Sequence, residues 1–350
     1  MNKNSRIFLA GHNGMVGSSI YRTLLERGFS DIITRDHKDL DLTRQNDVEQ
    51  FFLKEKPEYV ILSAAKVGGI LANSTYTADF IYQNMLIAAN VIDASYKNGV
   101  KKLINLGSSC IYPKMAPQPL KEEFLLSGPL EITNEAYAIA KISAIKLCRY
   151  YNEQHGTNFI SIMPTNMYGQ NDNFNLFTSH VLPAMLRKFH LGKLRMDGDF
   201  DAMRKDIFIF DRNKNALNFS NTEIEDYCDS HLIYNDAVGI WGTGKPFREF
   251  LFVDDCADAL LFILDKYDYK DIGEHINVGT GNDLSIKDLA DLLKDITSYT
   301  GGIRFDTLKP DGTPKKLLDV GRLKSLGWEA STLLNDGISN VYKWYKEQNI

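Results

Sequence analysis

A tyrosine and a lysine stand four residues apart in the segment YAIAK, as Tyr137 and Lys141. On a helix this spacing puts both side chains on one face. A nearby ammonium favours the phenolate, so Lys141 is expected to lower the pKa of Tyr137 from about 10. Tyr137 would then exchange a proton with a carbonyl or alcohol oxygen near neutral pH. Ser108 follows a predicted strand and could polarise the same oxygen with its hydroxyl. Together the three side chains predict proton transfer at a carbonyl.

A glycine-rich loop lies directly after the first predicted strand and opens the first predicted helix. Its G-x-x-G-x-x-G spacing permits a tight turn, close approach of a pyrophosphate, and helix N–H groups aimed at that anion. In this strand–turn–helix context we expect dinucleotide binding rather than a simple turn. The candidate residues are Gly11, His12, Asn13, Gly14, Met15, Val16 and Gly17.

The residues after the second predicted strand bear on the choice between NAD and NADP. An acidic side chain there accepts the ribose hydroxyl, whereas an arginine pairs with the extra phosphate of NADP. The sequence reads Arg35-Asp36-His37-Lys38, which is net basic. We therefore expect NADP(H), with Arg35 and Lys38 near the phosphate. The alternative, that both belong to a solvated loop, stays open.

Strand and helix patterns alternate through the first 165 residues, which predicts a parallel sheet covered by helices on both faces. The predicted strands are 6–10, 31–34, 59–63, 102–106 and 159–163, and the predicted helices are 15–26, 45–54, 78–98 and 137–154. Later patterns predict a helix at 179–190, a strand at 237–241, a strand followed by a turn within 275–281, a capped helix at 286–296, a turn within 319–328 and a closing helix at 334–348. The polar stretch 197–235 reads as a long loop with a hairpin or a short helix.

Composition excludes several classes of protein. The 350 residues are 44% hydrophobic and 24% charged with a net charge of −5, which is typical of globular proteins and argues against nucleic-acid binding. The cysteines are scattered without a C-x-x-C pair, so neither a disulfide framework nor a metal site is expected. No signal peptide or apolar run of membrane-spanning length is recognisable. We expect a cytoplasmic protein with no membrane partner.

Ten motifs spread over nearly the whole chain carry a family resemblance. They are GHNGMVG, AAKVGGI, NSTYTADFIYQNM, GSSCIYP, NEAYAIAKI, MPTNMYG, DNF with SHVLPAMLRKFH, REFLFVDD, HINVGTG and KPDGTPKKLLDV. The chain thereby resembles the extended short-chain dehydrogenase/reductase family and, within it, the GDP-L-fucose synthase subfamily. The resemblance leaves out residues 199–236, which read as an insertion. Members often have an arginine where this chain has Asn13.

The resemblance implies a fold and its division. The fold is α/β, a Rossmann-type doubly wound parallel sheet with a smaller C-terminal α/β substrate domain. Residues 1–165 with roughly 249–280 would bind NADP(H). Residues 166–248 and 281–350 would bind a GDP-sugar. The family also implies a homodimer, for which the segments 80–98 and 137–154 are candidates.

The resemblance also implies roles for individual residues. Ser108, Tyr137 and Lys141 fit the reductase triad, while Cys110 and His180 fit an acid/base pair for epimerisation. Beyond these and the glycine loop, the expected cofactor contacts are Arg35, Lys38, Asp41, Leu42, Ala64, Ala65, Leu106, Pro164, Asn166, Met167 and His180. Asn166 and its neighbours, together with Ser108 and Ser109, would line the nicotinamide side. The expected substrate contacts are Ser109, Lys188, Trp241, Arg248 and Asp311. Lys315 and Lys316 remain open between a phosphate contact and a solvated loop.

A 4-keto sugar has acidified C–H bonds at C3 and C5, because the C4 carbonyl stabilises the enolate. One site could therefore invert both centres and then reduce C4, with Cys110 accepting a proton as thiolate and His180 returning one. The expected activity is NADPH-dependent reduction of a GDP-4-keto sugar coupled to C3/C5 epimerisation. The alternatives are a C4 reductase of a related GDP-4-keto deoxyhexose or heptose and, more remotely, a non-catalytic cofactor-binding protein. A 4,6-dehydratase is disfavoured, because its Asp-Glu pair is replaced here by Cys110-Ile111.

Overall fold

Strands and helices alternate along a computed structural model that describes residues 1–309 and 311–348, with all side chains except those at positions 70 and 71. Pro310 of the KPDGTPKK motif lies outside the described residues. The strands are β1 (Ile7–Ala10), β2 (Ile32–Ile33), β3 (Tyr59–Leu62), β4 (Lys102–Leu106), β5 (Phe159–Pro164), β6 (Asn166–Tyr168), β7 (Ala237–Trp241), β8 (Phe247–Phe252), β9 (Ile276–Val278), β10 (Asp283–Ser285), β11 (Gly302–Asp306) and β12 (Lys315–Lys316). The helices are α1 (Met15–Glu26), α2 (Gln45–Glu55), α3 (Ile70–Thr75), α4 (Thr77–Lys97), α5 (Glu135–His155), α6 (Val181–Asp197), α7 (Phe200–Phe210), α8 (Asn221–Ser230), α9 (Val253–Lys266), α10 (Tyr269–Ile272), α11 (Ile286–Thr297), α12 (Gly321–Ser325) and α13 (Leu334–Gln348).

Six parallel strands form the central sheet in the order β2-β1-β3-β4-β5-β9. Successive residues of β1 point to opposite faces: Ile7 and Leu9 pack with α1 and α9, whereas Phe8 packs with α2, α4 and α5. Burial on both faces explains the continuous apolar runs of these strands. The strand order reverses between β1 and β3, where a doubly wound sheet binds ligands at the carboxyl ends of its strands. The expected fold class is confirmed.

A second layer of structure packs beside this sheet. It contains the parallel pair β7–β11, the strands β10, β12 and β6 around β8, and the helices α6, α7, α8, α11 and α13. Its apolar core includes Phe189 of α6, Leu289 of α11 and Tyr345 of α13, each fully buried. Because β6 and β8 hydrogen-bond in parallel register, this layer is joined directly to the strand that follows β5.

The stretch 197–235 differs from its prediction of a long loop with a hairpin or a short helix. It folds as two helices, α7 and α8, joined by a short 3₁₀ turn. Asp199 caps α7, and Ser220 forms a capping box with Glu223 at the start of α8. Each helix buries only a few residues, among them Met203 and Ile224. So sparse an apolar face explains why the periodic pattern was weak.

Most other predicted elements are found within two residues of their expected bounds. The helix expected at 179–190 continues to Asp197, and a short helix, α12, lies where a turn was expected. The strands β6, β10, β11 and β12 were not predicted, since each is short and none carries a clear alternating pattern. Among the described residues, no helix combines the length and the apolar character needed to cross a membrane.

The buried carboxylate of Glu249 in β8 ties three segments together. Its Oε1 accepts hydrogen bonds from the backbone N–H groups of Thr280 (2.7 Å) and Gly281 (2.8 Å), and its Oε2 accepts from Leu318 N (2.9 Å). Glu249 is 0% exposed. A carboxylate that accepts several backbone N–H groups is a strong anchor in a dry environment, so Glu249 holds the chain after β9 and the chain after β12 against β8.

We predict that Glu249→Gln lowers the free energy of unfolding by about 2 kcal/mol, because one amide group would turn a donor towards a buried backbone N–H and leave it unpaired. Denaturant titration of both proteins at neutral pH measures the change. The exposed Glu225 of α8 provides the control, and Glu225→Gln is expected to stay within about 0.5 kcal/mol of the parent. Equal stability of the two variants would contradict the anchoring role.

Candidate functional site

The glycine loop is built by close backbone packing between β1, β3 and α1. Gly11 has φ +91°, and a Cβ there would lie 2.7 Å from Ala64 N; a Cβ on Gly17 would lie 2.0 Å from Gly11 O. Gly14 is the N-cap of α1 and supplies no capping side chain, and the first turn of the helix carries no acid. The helix N–H groups and positive dipole end are therefore available to an anion, which fits a dinucleotide pyrophosphate.

Beside this loop lies an open cleft of about 480 Å³ lined by His12, Thr34, Arg35, Asp36 and Asp39. Asp36 accepts a hydrogen bond from Asn13 Nδ2 (2.7 Å) and lies 3.4 Å from His12 Nε2. The cleft therefore joins the glycine loop to the end of β2, where the adenosine end of a dinucleotide is expected.

The two basic candidates for the NADP phosphate differ in their surroundings. Arg35 Nη2 donates to Glu55 Oε1 at 2.6 Å, and its guanidinium lies 5.5 Å above the Phe51 ring. The Lys38 side chain is 78% exposed and its Nζ lies 4.0 Å from Asp36 Oδ2. Arg35 is therefore held in a fixed orientation at the cleft, whereas Lys38 is solvated.

Four further cofactor candidates occupy the loops after β2 and β3. Asp41 accepts from Thr43 N (3.0 Å) and Thr43 Oγ1 (2.7 Å), and the carbonyl of Leu42 accepts from Asn90. Ala64 and Ala65 follow β3, and Ala64 touches Gly11. Asp41 is thus occupied in stabilising its own turn.

The Ser–Tyr–Lys set assembles because α5 packs against the end of β4. Lys141 Nζ is buried and donates to the carbonyl of Leu106 at 2.7 Å. It lies 5.6 Å from the Tyr137 ring centroid, as the four-residue spacing predicts. Ser108 follows two residues after Leu106, and its Oγ accepts from Cys110 N at 3.3 Å. The hydroxyl of Ser108 therefore lies just after the carboxyl end of β4, and the ammonium of Lys141 is anchored to the same end of the strand.

The expectation that the pKa of Tyr137 is lowered is wrong. Burial raises the pKa of Tyr137, and the neighbouring Cys110 raises it further. Burial also lowers the pKa of Lys141 to about 8. Desolvation disfavours the charged forms of both side chains. Tyr137 is therefore a neutral phenol at neutral pH, the form that can donate a proton.

Cys110 and His180 lie in the same electrostatic neighbourhood. Burial raises the pKa of the Cys110 thiol, while Lys316, a hydrogen bond with Ser108, and Lys141 act in the opposite direction. The pKa of His180 is lowered by burial and by Lys316. Both groups are thus neutral near pH 7. His180 is also the N-cap of α6.

Lys316 is the residue that sequence reasoning left undecided. Lys316 in β12 lies opposite Arg248 in β8 in the strand register. Burial lowers the pKa of Lys316, and the nearby Cys110 acts in the opposite direction. The adjacent Lys315 instead forms an ion pair with Asp283 at 3.1 Å. Strand alternation sends neighbouring side chains to opposite faces, so only Lys316 belongs to the cluster of Cys110 and His180.

The segment after β5 supplies the candidates for the nicotinamide side. Asn166 Nδ2 donates to the carbonyl of Glu249 at 2.9 Å, so its amide nitrogen is held by β8. Pro164 ends β5, and Met167 packs against the core shared by α1 and α9. Like Ser108, these residues lie at the carboxyl ends of the parallel strands of the central sheet.

The candidate substrate residues gather around β7 and β8. Lys188 Nζ donates to the carbonyl of Gly239 at 3.0 Å, and burial lowers its pKa to about 8. Trp241 ends β7 with 54% of its surface exposed, and Lys309 Nζ lies 5.3 Å from its ring centroid. This arrangement leaves a wide aromatic face beside cationic groups, which suits a planar base or a sugar ring.

Arg248 and Asp311 complete this group of side chains. Arg248 Nη1 donates to the carbonyl of Thr313 at 2.6 Å. Asp311 accepts from Thr243 N (2.8 Å) and Thr243 Oγ1 (2.7 Å), and these bonds lower its pKa. Asp311 therefore fastens the 311–316 segment to the turn after β7. Ser109 is buried, with only 2% of its surface exposed.

The sequence of this chain matches that of known proteins over nearly its full length. The model of the family described as "NAD dependent epimerase/dehydratase family" matches residues 7–215 and 220–279. A curated relative from Arabidopsis thaliana, named putative GDP-L-fucose synthase 2, is 51% identical over 347 residues, covering 99% of this chain and 93% of the relative.

Two solved structures from Campylobacter jejuni share the whole fold. One is a GDP-6-OMe-4-keto-L-xylo-heptose reductase, with a TM-score of 0.93 and 41% identity. The other is MlghC, a GDP-mannoheptose C4 reductase with NADP bound, with a TM-score of 0.88 and 42% identity. Each similarity covers 99% of both chains. The chain belongs to the NAD dependent epimerase/dehydratase family, and the resemblance found in its motifs is confirmed.

We predict that Lys316→Met raises the pKa of the Cys110 thiol further, because a nearby ammonium stabilises the thiolate. Alkylation of the Cys110 peptide by iodoacetamide, followed by mass spectrometry between about pH 8 and 10, should slow several-fold. Lys315→Met is the matched control, because Lys315 is paired with Asp283. An equal change in both variants would show that Lys316 has no special influence on the thiol.

Proposed function

We propose that this chain catalyses the NADPH-dependent reduction of the C4 ketone of a GDP-4-keto sugar, coupled to epimerisation at C3 and C5. The observation that carries the proposal is that a Ser–Tyr–Lys set shares its site with a thiol and an imidazole. Cys110 interacts electrostatically with both Tyr137 and Lys141, and Lys316 acts on both Cys110 and His180. Reduction alone needs no such second acid/base pair. Relatives named GDP-L-fucose synthase support this reading.

The glycine loop, the dipole end of α1 and Arg35 would hold NADP(H), and the bound cofactor would supply a hydride to C4. Gly11 and Gly17 permit the close backbone approach, since a Cβ at either position would collide with the loop itself. Arg35 donates to Glu55 through one guanidinium nitrogen, and its remaining N–H groups would bind the phosphate on the ribose. Relatives with NADP bound support this choice of cofactor.

For the reduction step, Tyr137 would donate its phenolic proton to the C4 oxygen. Its raised pKa keeps the proton on the phenol until the C4 oxygen becomes basic. Ser108 would donate a second hydrogen bond to the same oxygen. Lys141, held by its hydrogen bond to the Leu106 carbonyl, would stabilise the phenolate that forms.

For the inversion steps, Cys110 would remove the proton from C3 or C5, and His180 would return one to the opposite face. Both groups rest in their neutral forms. Transfer of the thiol proton to the imidazole creates a base and an acid together without net uptake of a proton. Lys316 would favour the thiolate in this exchange.

Lys188 and Arg248 would bind the GDP diphosphate, and Trp241 would stack on the base or the sugar. Asp311 would then act mainly by holding the 311–316 segment in place. We further propose that residues 1–165 with about 249–280 form the cofactor domain, and that 166–248 and 281–350 form the substrate domain, with 199–236 as an insertion.

A homodimer would bury the outer faces of α4 and α5, which pack side by side. These faces expose Tyr82 (66%), Met85 (41%) and Tyr150 (53%). Large exposed apolar side chains on adjacent helices are typical of an association surface. We propose cytoplasmic residence, because the proposed reaction consumes NADPH and a nucleotide sugar.

A second candidate is a C4 reductase that acts on a GDP-4-keto heptose without epimerisation. It is favoured by the two Campylobacter jejuni reductases, whose chains correspond to this one over 99% of both lengths. The same Ser108, Tyr137 and Lys141 would then suffice, and Cys110 would be a buried thiol without a catalytic role.

We predict that the protein with NADPH and GDP-4-keto-6-deoxymannose in deuterated water consumes NADPH and yields a product deuterated at C3 and C5. Mass spectrometry and NMR locate the label. Tyr137→Phe should lower NADPH consumption at least ~100-fold but leave C–H exchange measurable. Cys110→Ser and His180→Gln should each strongly reduce exchange while leaving a measurable residual rate.

The matched control for the thiol is Cys148→Ser, at a buried cysteine in α5 that has no proposed role; it should keep both activities. Reduction without deuterium would contradict the epimerase part and leave the C4 reductase. Absence of turnover with this sugar would direct the same assay to GDP-4-keto heptoses, and failure there as well would reject the reductase.

We predict that C–H exchange in the presence of NADP⁺ has a broad bell-shaped pH profile. The active pair holds one proton between Cys110 and His180, and its pKa values are moved apart: His180 below its usual 6.5 and Cys110 above its usual 9.0. Below the lower pKa the pair gains a proton and lacks a base, and above the upper pKa it lacks an acid. Exchange rates from about pH 5 to 10 test this, and a maximum narrower than the interval from 6.5 to 9.0 would contradict it.

A further inference from the structure

Arg187 is a fully buried cation that the proposed mechanism does not use. It lies in α6, seven residues after His180, and its side chain is 0% exposed. Its Nε donates to Asp206 at 2.7 Å, and its Nη1 donates to Asp211 and to the carbonyl of Phe174. A buried charge is costly unless it is paired and hydrogen-bonded, so these partners define the position of this part of α6.

The two carboxylates come from the segment 199–236. Asp206 is in α7, is itself 0% exposed, and also accepts from the Tyr345 hydroxyl of α13. Asp211 is the C-cap of α7, with a side chain only 12% exposed. The segment is therefore fastened to α6 by charge, besides the apolar contacts of Met203 and Ile207 in the common core.

Asp211 also holds the chain on the other side of His180. Its Oδ1, which accepts from Arg187, accepts from Asn175 Nδ2 at 3.1 Å as well. Its Oδ2 accepts from the Tyr227 hydroxyl of α8. One carboxylate thus binds a residue five positions before His180 and another seven positions after it.

Asn175 transmits this contact to the start of α6. Its side-chain oxygen accepts from Phe177 N (3.0 Å), Thr178 N (3.2 Å) and Thr178 Oγ1 (3.2 Å), and its carbonyl accepts from Ser179 N (2.9 Å). These bonds form the turn that ends at His180. The carbonyl of Thr178 in turn accepts from Gly69 N at 2.8 Å, which joins the turn to the loop after β3.

We propose that Asp211 is a positioning residue for His180, and that through it the segment 199–236 governs the inversion of C3 and C5. The inference rests on the proposed role of His180 as the acid of epimerisation. An acid that must reach one face of a flat enolate tolerates little displacement, because a shift of about 1 Å at a reacting group can cost 100-fold in rate. Tyr137 and Ser108 receive no hydrogen bond from this network.

The test compares Asp211→Ala with the parent protein, using NADP⁺ and GDP-4-keto-6-deoxymannose in deuterated water. We expect C–H exchange to fall at least about tenfold, while the Kd for NADPH stays within about twofold. Asp211→Asn keeps an oxygen for Arg187 and Asn175 and should restore most of the exchange. Tyr227→Phe removes a bond to the same carboxylate but neither flanking bond, and should exchange like the parent.

A double-mutant cycle separates positioning from general damage. In a His180→Gln background, Asp211→Ala should cause no further loss of the residual exchange. If Asp211→Ala fails to fold, Asn175→Ala carries the test, because it leaves the buried ion pair of Arg187 and Asp211 intact and should show the same selective loss.

The outcomes distinguish the two levels of the proposal. Parent-like exchange in Asp211→Ala, or an equal loss in both backgrounds, would overturn the positioning role while epimerisation by the parent protein stands. Absence of exchange in the parent would overturn the epimerase function itself, and the positioning role with it. Selective loss that depends on His180 supports both.

Discussion

The site depends on one buried carboxylate, that of Glu249. A charge with no exposure to water must be surrounded by donors, and here those donors are backbone N–H groups after β9 and after β12. The bond to Leu318, two residues after Lys316, holds the strand that carries Lys316 against β8. Arg248 is the neighbour of Glu249 on β8 itself. The carbonyl of Glu249 also holds Asn166. The same residue thus links the central sheet to the layer that carries the substrate candidates.

Burial decides the protonation states in the cleft. Desolvation raises the pKa values of Tyr137 and Cys110 and lowers those of Lys141, His180, Lys188 and Lys316. The phenol, the thiol and the imidazole are therefore neutral at rest, beside Lys141 and Lys188, which keep most of their positive charge near pH 7. In such a medium a proton moved between two neighbours creates strong local charges without exchange with solvent. This favours a cycle in which acids and bases are formed in pairs when substrate binds.

The segment 199–236 gives the second layer of structure a different character from the central sheet. It contributes apolar side chains such as Met203, Ile207 and Ile224 to the common core, and it is held as well by Asp206, Asp211 and the capping bonds at Asp199 and Ser220. Directional bonds of this kind specify position more narrowly than apolar contact does. The proposed function makes this useful, because the turn before His180 has no long secondary-structure element of its own to hold it.

The sequence by itself determined the fold class, the glycine loop, the Tyr137–Lys141 pair and most helices and strands, because these depend on local spacing and on apolar periodicity. It also singled out Cys110 and His180 through the family resemblance. Tertiary structure alone decided the direction of the Tyr137 pKa, since burial of the phenol raises it. It alone separated Lys316 from Lys315, because their partners lie on distant strands and loops. The helices of 199–236 and the contacts of Asp211 likewise depend on partners from other segments, and no spacing within the sequence records which distant side chains will meet.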